Sequence, residues 1–224
     1  MPGTIAFDVN ETLLDLSALD PHFTSAFGAP AVRKEWFAEL LKQAFVTTVT
    51  RNYSDFGTIG RSALGLIEAR NQTALSDEQR TTILQAMQQL PAHPDVIAGL
   101  ESLRAAGWHL VALTNSTLQV AEAQLQNAGL LPYLDRVFSA DTVRRLKPAP
   151  EPYQMVAREL SLATSDLILA AAHSWDIAGA ASAGCRTAFI SRSGQLLDSL
   201  TPRPLVIAED LPDLAKQMNA AGSQ

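Results

Sequence analysis

An aspartate near the start of the chain stands where it could act as a nucleophile. Asp8 lies in the apolar run Thr4–Val9, and Thr12 follows it four residues later. In open α/β folds, functional sites lie where strand ends meet loops, and a carboxylate held there can attack a substrate. A simpler alternative is that Asp8 only caps a neighbouring turn.

Two later segments carry side chains that could act with Asp8. Thr114 and Asn115 follow another apolar run, where they could cap a helix or hold an anion or a reacting carboxylate. Lys147 lies in a loop that Pro148 and Pro150 stiffen, which suits a side chain directed inward. The alternative for Lys147 is an ordinary solvated loop lysine.

A third segment, Ala171–Asp176, ends an apolar run and opens a helix. Asp176 could join the same site or only complement the helix dipole. His173, three residues before Asp176, could be a polar helix-capping residue.

Strand and helix patterns alternate along most of the chain. The predicted strands are Thr4–Val9, Trp108–Thr114, Leu167–Ala172 and Thr187–Ser191, with weaker ones at Arg136–Ser139 and Leu205–Ala208. The predicted helices are Pro94–Ala106, Thr117–Ala128, Pro152–Leu162 and Leu211–Met218. This alternation predicts an α/β fold with a doubly wound, Rossmann-like parallel sheet, whose carboxyl edge would gather Asp8, Asn115, Lys147 and Asp176.

Residues 14–92 interrupt this alternation with helical patterns alone. Apolar residues recur at helical spacing from Trp36 to Val49 and again from Ile59 to Ile67, and Ser76 is placed to cap a third helix through Leu90. We therefore predict a helical cap formed by 14–92, inserted into a catalytic core formed by 1–13 and 93–224.

The composition limits the classes of partner. The 224 residues carry a net charge of −6 with scattered basic residues, which argues against a nucleic-acid partner. The single Cys185 excludes an internal disulfide, and no apolar stretch reaches the ~18 residues of a membrane span. We expect a cytoplasmic protein with a small-molecule substrate and no membrane partner; the oligomeric state stays open and is compatible with a homodimer.

The order of these segments resembles the four motifs of the haloacid dehalogenase superfamily. They are Asp8, Thr114-Asn115, Lys147-Pro148 and Asp176, with the helical insertion where the superfamily has its cap. In the superfamily's phosphatases, a second Asp of the first motif is a general acid and an Asp of the fourth motif helps to hold Mg²⁺. Asn10 and Ala172 stand at those places here. The resemblance is therefore to the L-2-haloacid dehalogenases, which use no metal or other cofactor.

This resemblance implies a hydrolase that converts an (S)-2-haloacid to a 2-hydroxyacid. Asp8 would attack the halogen-bearing carbon, and water would hydrolyse the resulting aspartyl ester. Lys147 would neutralise the carboxylates, and Asp176 would orient or activate the water. The implied substrate-binding residues are Asn10, Thr12, Phe37, Thr114, Asn115, Tyr153, His173 and Trp175.

The chain departs from the family pattern at two places. The arginine of the first cap helix aligns with Phe37, with Arg51 or Arg61 as alternatives, and the Ser-x-Asn of the fourth motif is Ala171-Ala172-His173. On this resemblance His173 could share in activating the water or could only cap the helix, and both interpretations stay open. Two other functions stay open. One is a phosphatase-like hydrolase of a small phosphate ester that uses Glu11 or a water in place of Asn10, and the other is a catalytically silent binding protein.

Overall fold

Six parallel strands form one sheet in the computed structural model, which describes residues 3–221. The strands are β1 Thr4–Phe7, β2 His109–Thr114, β3 Arg136–Ser139, β4 Leu167–Ala171, β5 Arg186–Ile190 and β6 Val206–Ala208. Their order is β3-β2-β1-β4-β5-β6, so the direction of winding reverses at β1. The crevice beyond the carboxyl end of β1 is therefore the point where ligands bind in sheets of this kind.

Helices of the described residues cover both faces of the sheet and form the segment between β1 and α5. They are α1 Asp20–Phe27, α2 Val32–Thr50, α3 Phe56–Arg70, α4 Asp77–Ala86, α5 Val96–Ala105, α6 Leu118–Asn127, α7 Pro150–Glu159, α8 Ser174–Ser182 and α9 Leu211–Ala221. Short 3-10 turns lie at Leu16–Leu19, Met87–Gln89, Leu131–Tyr133, Ala140–Val143 and Thr164–Asp166. None of the helices within residues 3–221 has both the length and the apolar character that crossing a bilayer requires.

The central strand β1 shows why the sheet has a core on each face. Its side chains are all buried, with Ile5 and Phe7 in one apolar cluster and Ala6 in the other. The first cluster also includes residues of α2, α3, α5 and α9, and the second includes residues of α7 and α8. A strand covered on both faces is apolar throughout instead of alternating, as its sequence indicates. The predicted α/β class with a doubly wound parallel sheet is confirmed.

The structure differs from the predicted elements mainly at their ends. The first strand ends at Phe7, before the predicted Val9, because the Val9 carbonyl accepts from Leu13 and Leu14 in a tight turn. Helix α7 begins at Pro150, in line with the tolerance of proline in a first helical turn. Helix α1 was not predicted, since it is short and buries only Phe23.

The predicted cap boundaries fall where the chain crosses between the sheet and the helical segment. At this crossing the Asp15 N–H donates to Pro91 O at 2.9 Å, and the His93 N–H donates to Leu13 O at 3.0 Å. The division into a core and a cap at 14–92 stays a prediction that these adjacent crossings support.

Candidate active site

Asp8 lies directly beyond β1, at the switch point of the sheet. Its backbone N–H donates to Ala170 O at 3.0 Å, which continues the pairing with β4. The turn that follows brings Thr12 back, so that the Thr12 hydroxyl donates to Asp8 Oδ2 at 2.7 Å and accepts from Ala172 N at 3.0 Å. The local hydrogen bonds therefore fix the direction of the carboxylate.

The Lys147 side chain is fully buried against the end of the sheet. Its ammonium donates to Asp8 Oδ1 at 2.8 Å, to Asp176 Oδ2 at 2.6 Å and to the Leu113 carbonyl at 2.9 Å. These three acceptors use all three ammonium donors, which is the condition under which a buried lysine is tolerated. Lys147 thereby joins the ends of β1, β2 and β4 in one cluster.

Asn115 holds the backbone of the lysine loop. Its Oδ1 accepts from Lys147 N at 2.7 Å, and its Nδ2 donates to Lys147 O at 3.3 Å. The peptide between Lys147 and Pro148 is cis. Pro148 and the Tyr153 hydroxyl press on α8 at Gly179, where an added Cβ would lie 2.5 Å from Pro148 Cβ and 2.8 Å from Tyr153 Oη. The carboxamide of Asn115 therefore fixes the backbone at Lys147, and the packing at Gly179 fixes the loop beyond it.

Asp176, in the first turn of α8, has both carboxylate oxygens occupied. Tyr153 Oη donates to Oδ1 at 2.5 Å, and Lys147 Nζ donates to Oδ2 at 2.6 Å. The side chain is 0% exposed. Asp176 therefore orients Lys147 and Tyr153 from inside the protein.

His173 bridges the nucleophile candidate and a second carboxylate. Its Nδ1 lies 3.2 Å from Asp8 Oδ2, and its Nε2 lies 2.9 Å from Glu11 Oε2. Glu11 has a left-handed backbone with φ of 61°, and Gln195 Nε2 donates to the same Oε2 at 3.1 Å. The result is a chain from Glu11 through His173 to Asp8.

These contacts decide the charges of the site. Burial alone would raise the pKa of Asp8, but the charges and hydrogen bonds of Lys147 and His173 hold it well below its ordinary value. Burial would lower the pKa of Lys147, yet Asp176 and Asp8 raise it. Burial also opposes protonation of His173, but its bonds to Asp8 and Glu11 raise the pKa to about 9. Asp8 is thus ionised at neutral pH between two cations.

Asp176 and Tyr153 have different electrostatic environments. Burial raises the pKa of Asp176 in spite of the Lys147 ammonium, and the charge of Asp8 adds to this rise. Burial raises the pKa of Tyr153 as well, so its hydroxyl stays protonated and donates to Asp176. The donors of Lys147 and Tyr153 together compensate the buried carboxylate.

Two aromatic rings contact the His173 imidazole. The Trp175 ring stacks on it with centroids 5.2 Å apart, and the Phe37 ring of α2 lies 6.3 Å away. Lys147 Nζ lies 6.0 Å from the centroid of Trp175, and the buried Trp175 Nε1 makes no hydrogen bond within residues 3–221. Phe37 and Trp175 therefore reach the site as apolar surfaces.

A cavity of about 780 Å³ opens beside this cluster, between α2 and the sheet edge. Residues from both sides line it, among them Glu11, Arg33, Phe37, His173 and Trp175. It gives His173 access to a small molecule.

Arg33 is the buried arginine of this cavity, and sequence analysis missed it. Its Nε donates to Asp20 Oδ1 at 2.5 Å and its Nη1 lies 3.7 Å from Glu11 Oε1, while its Nη groups make no hydrogen bond within the described chain. The alternatives Arg51 and Arg61 are exposed. The signal for Arg33 is its position one helical turn before Phe37, on the same face of α2.

Two predicted substrate-binding residues make their hydrogen bonds elsewhere. The Asn10 carboxamide oxygen accepts from Gln124 Nε2 of α6 at 3.1 Å. The Thr114 hydroxyl accepts from Ser116 N at 3.2 Å, within its own turn. Neither hydrogen-bonds Asp8, although both lie buried near the strand ends.

The donor set beside Asp8 is unlike that of a metal site. Within residues 3–221, no three or more histidine, cysteine or carboxylate side chains are arranged to hold a metal ion. The ammonium of Lys147 lies between Asp8 and Asp176. The cluster can therefore hold an ionised carboxylate for attack with a side-chain cation as its counter-charge.

The fold and the matching family define the class of this protein. A family model described as a haloacid dehalogenase-like hydrolase matches residues 2–184, so the chain belongs to the haloacid dehalogenase-like hydrolases. Among its relatives, (S)-2-haloacid dehalogenase 4A of Burkholderia cepacia is 29% identical over 192 residues, which cover 84% of this chain and 82% of the relative. (S)-2-haloacid dehalogenase 1 of Pseudomonas sp. (strain CBS-3) is 28% identical over 188 residues, 83% of each chain.

A solved structure shows the same fold. It is the L-2-haloacid dehalogenase from Xanthobacter autotrophicus with chloropropionic acid covalently bound, with a TM-score of 0.89 at 22% identity, covering 96% of this chain and 98% of that one. At this identity the likeness concerns the fold. Together with the two curated relatives, it confirms the predicted resemblance to the L-2-haloacid dehalogenases.

Proposed function

We propose that this hydrolase converts an (S)-2-haloacid to the 2-hydroxyacid through an ester on Asp8. The observation that carries the proposal is the buried Asp8 carboxylate, held ionised by Lys147 Nζ at 2.8 Å and aimed by Thr12. An anionic oxygen in fixed geometry is what displacement at a saturated carbon needs. The named activity of the two curated relatives supports the same reaction.

The leaving group is a halide, and it departs as an anion that requires no proton. This chemistry agrees with Asn10, which cannot act as an acid and whose oxygen is bonded to Gln124 of α6. One Asp8 oxygen forms the new bond to C2 as the carbon–halogen bond breaks. Water then attacks Asp8 Cγ, which releases the hydroxyacid and restores the carboxylate.

The substrate carboxylate needs a cation that the site has not already used. The ammonium of Lys147 has its three acceptors, whereas Arg33 lines the 780 Å³ cavity and its Nη groups have only the 3.7 Å approach to Glu11. We assign Arg33 to the substrate carboxylate, because a guanidinium binds a carboxylate through paired donors. Phe37 and Trp175 would contact the carbon chain and the halogen.

Halide release from a panel of 2-haloacids tests this function. Wild type should release halide from (S)-2-chloropropionate, with equal rates in a chelator and in added Mg²⁺. Asp8→Asn should fold normally and lose turnover by more than about a thousandfold, since an amide is no nucleophile here. Activity on a generic phosphate ester that requires Mg²⁺, without halide release, would overturn the proposal.

Three further expectations concern the protein in the cell. We propose a small-molecule substrate and a cytoplasmic location, and the oligomeric state is compatible with a homodimer. The relatives named for a small haloacid support the first. Sedimentation equilibrium would measure the oligomeric state, and fractionation of the producing cells the location.

A further inference from the structure

Water that hydrolyses the Asp8 ester needs a base, and the two candidates beside Asp8 differ in access. Asp176 is 0% exposed and both of its oxygens already accept, one from Tyr153 and one from Lys147. A water taking either position would have to break a short bond in the protein interior. His173 lies on the wall of the 780 Å³ cavity and contacts Asp8 itself.

We propose that His173 is the general base of ester hydrolysis and that formation of the ester on Asp8 switches it on. The inference rests on the proposed function, because it concerns the second half of that reaction. Its basis is the chain in which Glu11 holds Nε2 at 2.9 Å while Nδ1 faces Asp8 Oδ2 at 3.2 Å. A carboxylate that orients one imidazole nitrogen leaves the other free to take a proton.

The switch follows from the charges that face the imidazole. In the free enzyme, Asp8 and Glu11 both stabilise the imidazolium, and the pKa of His173 is raised to about 9. Alkylation makes Asp8 a neutral ester and removes one of these charges. Burial then acts against Glu11 alone, so the pKa of His173 falls and the ring loses its proton.

The other charged groups around the imidazole keep their places during this change. Arg33 of α2 approaches Glu11 at 3.7 Å, and Lys147 stays beside Asp176 of α8. Both cations disfavour a positive charge on the imidazole. Their effect has the same sign as the loss of the Asp8 charge.

The proton balance of the cycle closes. The imidazolium releases one proton to solvent after the halide has left, and the neutral Nδ1 takes a proton from the water that attacks Cγ. That proton passes to the departing hydroxyacid oxygen, and the acid formed on Asp8 returns its own proton to His173. The sum is haloacid and water giving hydroxyacid, halide and one proton.

The experiment compares His173→Gln with His109→Gln, whose side chain is 74% exposed. Each variant reacts with (S)-2-chloropropionate under rapid quench, and chloride and intact protein mass are followed. In His173→Gln we expect about one chloride per active site in a fast first turnover. The ester should then accumulate, and the steady-state rate should be about a hundredfold or more below that of wild type. His109→Gln should behave as wild type.

The pH profile separates a base from a structural residue. In wild type, the rate of ester hydrolysis should fall about tenfold per unit on the acid side while the first chloride burst does not change. Glu11→Gln should move that acid limb to lower pH, because it removes a charge that stabilises the imidazolium. This variant also tests the inference if His173→Gln fails to fold.

The outcomes distinguish the two proposals. Wild type that releases no chloride from any 2-haloacid rejects the proposed function. Suppose instead that wild type releases chloride, but His173→Gln accumulates no ester or Glu11→Gln leaves the acid limb unmoved. Then His173 is not the base, and the proposed function still stands.

Discussion

The sheet edge and helix α2 face each other across the site and differ in how far their polar groups are paired. At the sheet edge, Lys147 and Asp176 make every hydrogen bond of their charged atoms to protein. On α2, Arg33 lines the cavity and makes its hydrogen bond to Asp20 through Nε, and its Nη groups make none within the described chain. The charged groups of the sheet edge are paired within the protein, whereas under the proposed function the Nη donors of Arg33 pair with the substrate carboxylate.

This difference reflects the separate physical requirements of a nucleophile and of a substrate-binding group. A nucleophile must be held in one geometry before the substrate arrives, so its counter-charges belong to the protein and are buried with it. A binding group must exchange water for substrate, so it keeps free donors at a cavity. Removing one partner at the sheet edge therefore leaves a buried charge unpaired, whereas removing Arg33 removes a single hydrogen bond to Asp20.

The largest expected effect is at the buried ammonium. Lys147→Met leaves two buried carboxylates without their cation, which should lower the free energy of unfolding by about 3–5 kcal/mol and abolish turnover. Urea unfolding followed by circular dichroism measures the change. The control is Lys216→Met on the exposed side of α9, expected within about 0.5 kcal/mol of wild type. Equal stability of both variants would mean that the buried pairs do not stabilise the fold.

The second effect is on how the free energy of unfolding depends on pH, through His173. Its pKa rises from an ordinary 6.5 to about 9 in the folded protein, so its stabilisation is complete below pH ~6.5 and lost as pH rises through ~9. A shift of this size corresponds to about 3 kcal/mol. Urea unfolding between pH 6 and 10 measures it, and His173→Gln should lack this part of the decline. An identical decline in both proteins would assign it to other groups.

The third effect tests the packing that holds the lysine loop. Gly179→Ala places a Cβ 2.5 Å from Pro148 Cβ, so either the loop or α8 must shift. We expect a loss of about 1–3 kcal/mol and reduced halide release. Gly65→Ala in α3 is the matched control, since nothing lies within 4 Å of its Cβ and alanine is favoured by up to about 1 kcal/mol in a helix. Thermal melts and halide assays of both variants decide the point.

The same division explains how much the sequence could predict. Asp8 lies just beyond a strand, Asp176 lies in the first turn of a helix and Lys147 lies in a loop stiffened by prolines, and parallel strands bring their carboxyl ends to one edge whatever the details of packing. The parallel sheet and the convergence of these residues could therefore be predicted from apolar runs and spacing. The end of β1 could not, because it depends on the bonds of the Val9 carbonyl in the turn.

Which residues line the cavity depends on how the helices pack against one another. The apolar periodicity of the sequence does not encode that packing. Trp36 and Phe37 are adjacent in α2, yet Trp36 donates to Gly60 O within the helical segment while Phe37 reaches His173. Arg33 is buried although arginine is usually exposed, since Asp20 and Glu11 lie beside it. Helix α1, which supplies Asp20, was itself not predicted, so its ion pair with Arg33 could not be.

The smallest expected effect is on substrate affinity, at Arg33. Arg33→Met should raise the KM for (S)-2-chloropropionate about tenfold or more, the loss expected for a hydrogen-bonded charge pair, with a smaller change in kcat. Arg61→Met is the matched control, since Arg61 is exposed in α3 and lines a separate cavity of about 250 Å³. Steady-state halide release gives both constants, and melting temperatures verify that each variant is folded. A raised KM in Arg61→Met with an unchanged KM in Arg33→Met would place the substrate carboxylate in the smaller cavity. The binding group opposite the sheet edge would then belong to α3 and not to α2.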